Sequence, residues 1–333
     1  MTLLIIVSLV IALFAFIIIK KVINSPSAKN QRLSARLYED NNVVELEFQK
    51  QIRKETISKI IRYIISYTLL TFVAILVAFP FYWMFATSLK SIEEINRTVQ
   101  TIIPEELHFE NFPNAMRQAN FGRYMVNTLI VGVFSTIGTL ITTITAAYAF
   151  ARLSFKGRDL LFTIFIATMM IPGEMLVLTN YITVASKDFL NWNNTYQAMI
   201  VPFWVSTYYI FLLRNTFKQI PNELYYAAKV DGTSDFKYLL KVMLPIASPT
   251  IITITILKLM GAWNSYIWPN LITEGDMRLI TNALRNAFTV ENGVPPMHLQ
   301  MAATTVVTVP LLLVFIFFRK YIIKGVSRSG IKG

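Results

Sequence analysis

Two ionisable side chains stand inside long apolar runs. Glu174 separates the uncharged stretches 160–173 and 175–186, and Lys258 separates 242–257 from 259–273. At membrane depth such a group costs at least about 2.5–3.5 kcal/mol, so it is expected to face a polar cavity or a partner, where it can guide a solute or couple an ion; the alternatives are a place near the outer interface for Glu174 and a structural pair or snorkelling for Lys258. Pro172 and Gly173 should break the helix beside Glu174, freeing carbonyls to line a pathway. Trp263 and Asn264 offer a stacking face and an amide suited to a sugar ring. With no cysteine and only His108 and His298, disulfides, thiolate or His-rich metal sites and cysteine nucleophiles are excluded, and neither histidine lies in a recognisable nucleophile motif. No G-x-x-x-x-G-K-[ST] loop is present, so the chain cannot hold ATP phosphates in the Walker manner.

A second informative segment is polar. In residues 214–245, Pro221 and Asn222 are helix-start signals, Glu223 suits the positive end of a helix dipole, and residues 223–230 are mostly good helix formers. Asp231-Gly232 should end that helix, because glycine takes a positive φ cheaply. A second short helix over 234–243 is expected to stop at Pro245. Small Ala227 and Ala228 would let another backbone approach. The product is a compact knob with two readings: a plug for a groove in a partner, or an interfacial hairpin lying on lipid headgroups.

The elements that must position these residues are apolar helices. Of 333 residues 54% are hydrophobic and only 15% charged, against about 25% charged in soluble domains, which argues against a soluble enzyme. Uncharged runs at 2–19, 63–89, 124–151, 189–213 and 292–318 are each close to or beyond the 20 residues a spanning helix needs. With the two interrupted runs, seven helices are expected. The first is read as a retained anchor, since Lys20 and Lys21 follow the apolar stretch instead of preceding it.

The net charge of +12 fits either a nucleic-acid binder or an oriented membrane protein. With alternate loops assigned inside, 23 of the 31 basic residues fall on one side and 7 on the other, with Lys258 within a span. The positive-inside rule then puts the N-terminus outside and the C-terminus in the cytoplasm of a multi-pass cell-membrane protein. Bases divided among loops between apolar spans do not form a nucleic-acid surface. Trp83, Trp192, Trp204, Trp263 and Trp268 all fall toward the outer side, where interfacial anchoring suits most of them.

The spacing Tyr226-Ala227-Ala228-x-x-Asp231-Gly232, nine residues, then Val242-x-Leu244-Pro245 resembles the EAA loop of binding-protein-dependent ABC importer permeases. Phe150-Ala-Arg152 with Phe155-Lys-Gly157, the Met170 to Glu174 stretch, Trp263-Asn264 and the glycine-rich end near Gly325, Gly330 and Gly333 look like further family motifs of its carbohydrate-uptake, MalG-like branch. Tyr226 stands where the motif usually opens with glutamate.

The resemblance implies an all-α polytopic fold with a six-helix core over 62–333. An extra transmembrane helix at 1–19 and a charged cytoplasmic linker at 20–61 lie outside that core. It further implies that the 214–245 loop seats in a cleft of an ABC ATPase dimer carrying ATP and Mg, with no cofactor on this chain. A second, related permease would complete a heterodimer, and an extracellular solute-binding protein would deliver a sugar, oligosaccharide, polyol or glycerol phosphate derivative. The outer loop 269–298, with Pro295-Pro296, is a candidate contact for that protein. A self-sufficient transporter using Glu174 and Lys258 for ion coupling is the alternative.

Overall fold

The computed structural model describes residues 42–118, 120–286, 288 and 296–327. The expected helix at 2–19, residues 20–41 of the linker, Pro295 and residues 328–333 of the tail lie outside the described residues. The chain divides into two units, residues 1–83 and 84–333.

In the described part of the first unit the backbone is helical throughout, as most of α1 (Asn42–Ser88). Residues 42–61, read from sequence as linker, form the same helix as the apolar run that follows. Spaced aromatic residues touch along it, Tyr63 with Tyr67 and Phe79 with Trp83.

The second unit is an all-helical assembly. After two short helices, α2 (Ile92–Ile95) and α3 (Asn111–Gln118), the central element is α4 (Phe121–Arg152), followed by α5 (Arg158–Ala167) and α6 (Val177–Ala185). Next come α7 (Tyr196–Ile200), α8 (Thr207–Lys218), α9 (Asn222–Val230), α10 (Asp235–Tyr238) and α11 (Leu244–Trp263). Short α12 (Ile267–Ile272) and α13 (Ile280–Asn286) precede α14 (Met297–Ser327). Helix α4 packs on α8 and α11, α11 also on α14, and α14 on α3. At Gly132 α4 lies against α11, where an added Cβ would make ordinary contact, 3.7 Å from Leu259 and 3.9 Å from Ala262. The hydroxyls of α4 can be buried because backbone carbonyls accept from them: Thr128 donates to Tyr124 O at 2.8 Å and Thr136 to Gly132 O at 2.6 Å.

Among the described residues four helical stretches are long and apolar enough to cross a membrane, and two bent pairs raise this to six. Both bends fall where proline interrupts the ladder. The Glu174 run breaks by 87° between Arg158–Met170 and Gly173–Ala185, as the Pro172-Gly173 pair predicts. The 189–213 run, expected as one uninterrupted span, instead bends by 42° between Tyr196–Phe203 and Thr207–Lys218. Pro202 sits at the start of a short 3-10 turn there, and Ser206 caps the next helix through its Oγ, which accepts from Tyr209 N.

Two further expectations change. Pro245 does not end a short helix at 243, because the chain stays helical from Asp235 to Trp263. Residues Leu239–Met243 form a π turn in which the Leu244 amide reaches the Leu239 carbonyl, and this wider turn accommodates the proline ring just beyond it. Three of the five tryptophans also pack within the protein. Trp263 is buried among Phe121, Ile280 and Ala303, Trp268 is buried beside Met199, and Trp192 packs on that second cluster. Their apolar surface is taken up by protein.

In the loop after α1, buried Lys90 and Glu94 pair at 4.0 Å. Lys90 Nζ donates to the Thr101 carbonyl, the Thr101 hydroxyl to Glu94, and Asn111 Nδ2 to the carbonyls of Ser88 and Lys90, both at 3.0 Å. These bonds tie the 90–111 loop to the end of α1, satisfying a buried ion pair that would otherwise be costly.

Candidate functional site: a capped knob and a cavity at a helix break

The knob is built around α9. Its C-terminus closes with the Thr233 amide on the Ala228 carbonyl at 2.9 Å and the Gly232 amide on the Lys229 carbonyl at 3.0 Å. This paired pattern is a Schellman cap, with Gly232 at φ +70° in the left-handed region that it requires. Asp231 is the residue at which the helix turns out of register, its amide on Ala227 O at 3.1 Å. Ser234 then starts α10 by accepting from the Lys237 amide.

Two polar contacts fix the knob to the bundle. Arg152, at the end of α4, donates to Phe217 O at 2.9 Å, to Ile220 O at 2.5 Å and to Asn222 Oδ1, so one guanidinium joins the end of α8 to the start of α9. Asp235 Oδ1 accepts from Tyr148 of α4 at 3.0 Å and from Tyr225 of α9 at 2.9 Å, and pairs with Lys229 at 3.1 Å. Buried Tyr238 meets Tyr225 edge to face at 5.2 Å. In the sequence Arg152 stands out only as part of a motif, and Tyr148, Tyr225 and Asp235 carry no signal of a role. Their partners lie up to 87 positions away, so local pattern carries no signal for them.

These contacts decide which side of α9 is free. Ala228 and Leu244 pack against the cluster containing Leu213, Phe217 and Tyr238. Ala227, Gly232 and Pro245 are exposed, Tyr226 is 63% exposed and Val230 88%. Tyr226, Ala227 and Val230 thus leave an exposed, largely apolar strip along α9.

The second site is a cavity of about 340 Å³ beside the break after Phe203. It lies within the size range of small-molecule sites. Its wall includes Ser135, Phe203, Tyr209, Lys258, Ser265 and Trp268. The break leaves carbonyls without helical partners, and side chains supply them. Phe203 O accepts from Thr139 at 2.9 Å and from Lys258 Nζ at 2.9 Å, while Trp204 O accepts from Thr142 at 2.5 Å. Lys258 also lies 5.6 Å from the Phe203 ring centre. Trp268 shapes the wall by donating to Ala198 O at 3.0 Å and meeting Phe203 edge to face.

The four pathway candidates separate. Lys258 lines the cavity; Glu174, Trp263 and Asn264 are not among its walls. Glu174 is exposed at the 87° bend. Trp263 faces a protein core. Asn264 terminates α11, its Nδ2 on Met260 O at 3.0 Å. The serines, Tyr209, Phe203 and Trp268 were missed because the cavity exists only where α4, α7, α8 and α11 converge. No ion pair among the described residues joins Lys258 to Glu174, as an ion-coupling relay would favour.

Known proteins share both sequence and fold with this chain. The family model described as "Binding-protein-dependent transport system inner membrane component" matches residues 138–328. The diacetylchitobiose uptake system permease protein NgcG of Streptomyces coelicolor is 30% identical, over 80% of this chain and 87% of that protein. The trehalose/maltose transport system permease protein MalG of Thermococcus litoralis is 31% identical, over 78% and 93%. A solved bacterial ABC transporter involved in the import of the acidic polysaccharide alginate contains a chain with the same fold, at a TM-score of 0.71 and 22% identity, over 79% of this chain and 97% of that one.

Proposed function

Since the chain belongs to the family of binding-protein-dependent transport system inner membrane components, and is therefore a multi-pass permease subunit and not an enzyme, we propose that it imports a carbohydrate or related solute. Its relatives NgcG and MalG are named for diacetylchitobiose and for trehalose or maltose. The core is residues 62–333, with the helix at 1–19 as an added span and the N-terminus outside. The loop 214–245 and the C-terminus face the cytoplasm, in keeping with the 23 basic residues on that side.

In this reading an ABC ATPase dimer, holding ATP and Mg, receives the knob. Its closure pushes on α9 through Tyr226, Ala227 and Val230, and the Arg152 and Asp235 contacts pass the displacement to α4 and α8. A second, related permease completes the pathway, and an extracellular solute-binding protein loads it from outside. The single observation that carries the reading is the exposed apolar face of α9, held by a Schellman cap at Gly232 and clamped from behind. Tyr226 keeps a packing and hydrogen-bonding surface where the motif's glutamate would stand.

The test is uptake by vesicles containing the purified complex. Import is expected to require ATP and to disappear when residues 226–232 are scrambled in a complex that still assembles. Uptake that persists without ATP and collapses with an ionophore would establish the ion-coupled alternative instead.

A further inference from the structure

The cavity holds a charge with no counter-charge. Lys258 stands 14 residues beyond Leu244 on α11, about 21 Å along the helix axis. None of the ion pairs among the described residues includes it, and no acidic residue is in the wall. Its bond to Phe203 O does not by itself call for an ammonium, because the Thr139 hydroxyl already serves the same carbonyl. A neutral donor would complete that cap without the cost of a cation at this depth. An ammonium also has three protons to donate, and the Phe203 carbonyl takes one.

The rest of the wall is neutral, and much of it is aliphatic, from Val131, Met199, Val205 and Leu279. Ser135, Ser206, Tyr209 and Ser265 supply hydroxyls, and Phe203 and Trp268 supply aromatic surface. Hydroxyls with aromatic faces match the alternating polar and apolar sides of a sugar ring, and a lone ammonium beside them matches an acid group on that ring. We propose that this cavity is a transit subsite for a saccharide bearing an acidic group, a carboxylate or a phosphate ester, with Lys258 as its counter-ion. The proposal rests on the importer reading and narrows its solute class. A neutral saccharide passing the site would leave the cation unpaired, so the subsite discriminates by charge while the hydroxyls accept many ring geometries.

The experiment uses the full complex with its ATPase and binding protein in nanodiscs. Acylation of Lys258 by a small amine reagent is followed by mass spectrometry in the presence of digalacturonate, glucose 6-phosphate, maltose, inorganic phosphate or sodium chloride, and thermal stability is recorded with the same additions. One or both acidic saccharides should slow labelling at Lys258 at least tenfold and raise the melting temperature, at concentrations where maltose and the inorganic ions do neither. Which of the two protects identifies the acid group. In Lys258→Gln, which keeps a donor for Phe203 O, the concentration of acidic saccharide needed for thermal stabilisation should rise roughly 30-fold or more. Equal protection by maltose, equal protection by inorganic phosphate or chloride, or no stabilisation by either acidic saccharide overturns the proposal. The wild-type labelling needs no folded variant. Failure of the wild-type complex to couple ATP hydrolysis to its binding protein is a separate result, and it refutes the importer reading.

Discussion

Replacing Gly232 tests how the knob is held in shape. A Cβ built there meets nothing within 4 Å, so any effect comes from the backbone and not from a clash. At φ +70° an L-residue places its Cβ too near the following carbonyl, at a cost of roughly 1–2 kcal/mol. Gly232→Ala should therefore lower the free energy of opening the cap by that amount, and the Thr233–Ala228 and Gly232–Lys229 bonds should open about 5- to 30-fold more often. Hydrogen exchange of the 228–233 amides in the reconstituted protein reads this directly. Gly232→Asn should recover much of the loss, because asparagine tolerates the left-handed region, whereas Gly232→Val should be worse than alanine. The melting temperature of the whole bundle should scarcely move, since the cap lies on an exposed turn. Equal exchange in glycine, alanine and valine versions would refute the conformational argument. An asparagine variant no better than valine would show that something other than φ governs the position.

Three further outcomes follow from the same geometry. Gly138→Ala puts a Cβ 2.1 Å from the Trp204 indole, so it should destabilise the bundle by about 1–3 kcal/mol in denaturation, and Trp204→Ala added to it should restore part of that loss. Arg152→Met strips a charged donor from two backbone carbonyls and should cost about 1.5–3 kcal/mol; Arg152→Lys keeps charge but not the fork, so ATP hydrolysis in the complex should rise relative to uptake as the knob loosens. His108 Nδ1 lies 2.6 Å from Glu110, and that hydrogen bond holds its pKa above the ordinary histidine value. The loop stabilisation it provides is present below pH about 6.5 and is lost as pH rises through the higher folded value; nuclear magnetic resonance titration should find the midpoint raised, and lowered toward the ordinary value in Glu110→Gln.

Much of this protein is legible in one dimension. Uninterrupted apolar runs identify the spans because a helix needs only length and apolarity to cross a bilayer. Basic residues, counted loop by loop, supply the proposed orientation. Gly232 announces its cap because the Schellman pattern lies within six consecutive residues, and Pro172-Gly173 announces the bend at Glu174 for a similarly local reason. The continuation of α10 into α11 past Pro245 was hidden, since a π turn can accommodate a proline and local propensity does not disclose it.

What only the tertiary structure decided is how each helix is rotated and what it meets. Trp263 and Asn264 are adjacent, yet one faces a core and the other closes its own helix, while Lys258 one and a half turns earlier reaches a carbonyl 55 positions away. Arg152 finds its partners 65 to 70 residues on. Such meetings depend on helix rotation and on where breaks release carbonyls, and both are set by packing across the bundle. The chemical types of these residues were readable from sequence, but their assembly into a clamp behind the knob and a positively charged cavity was not.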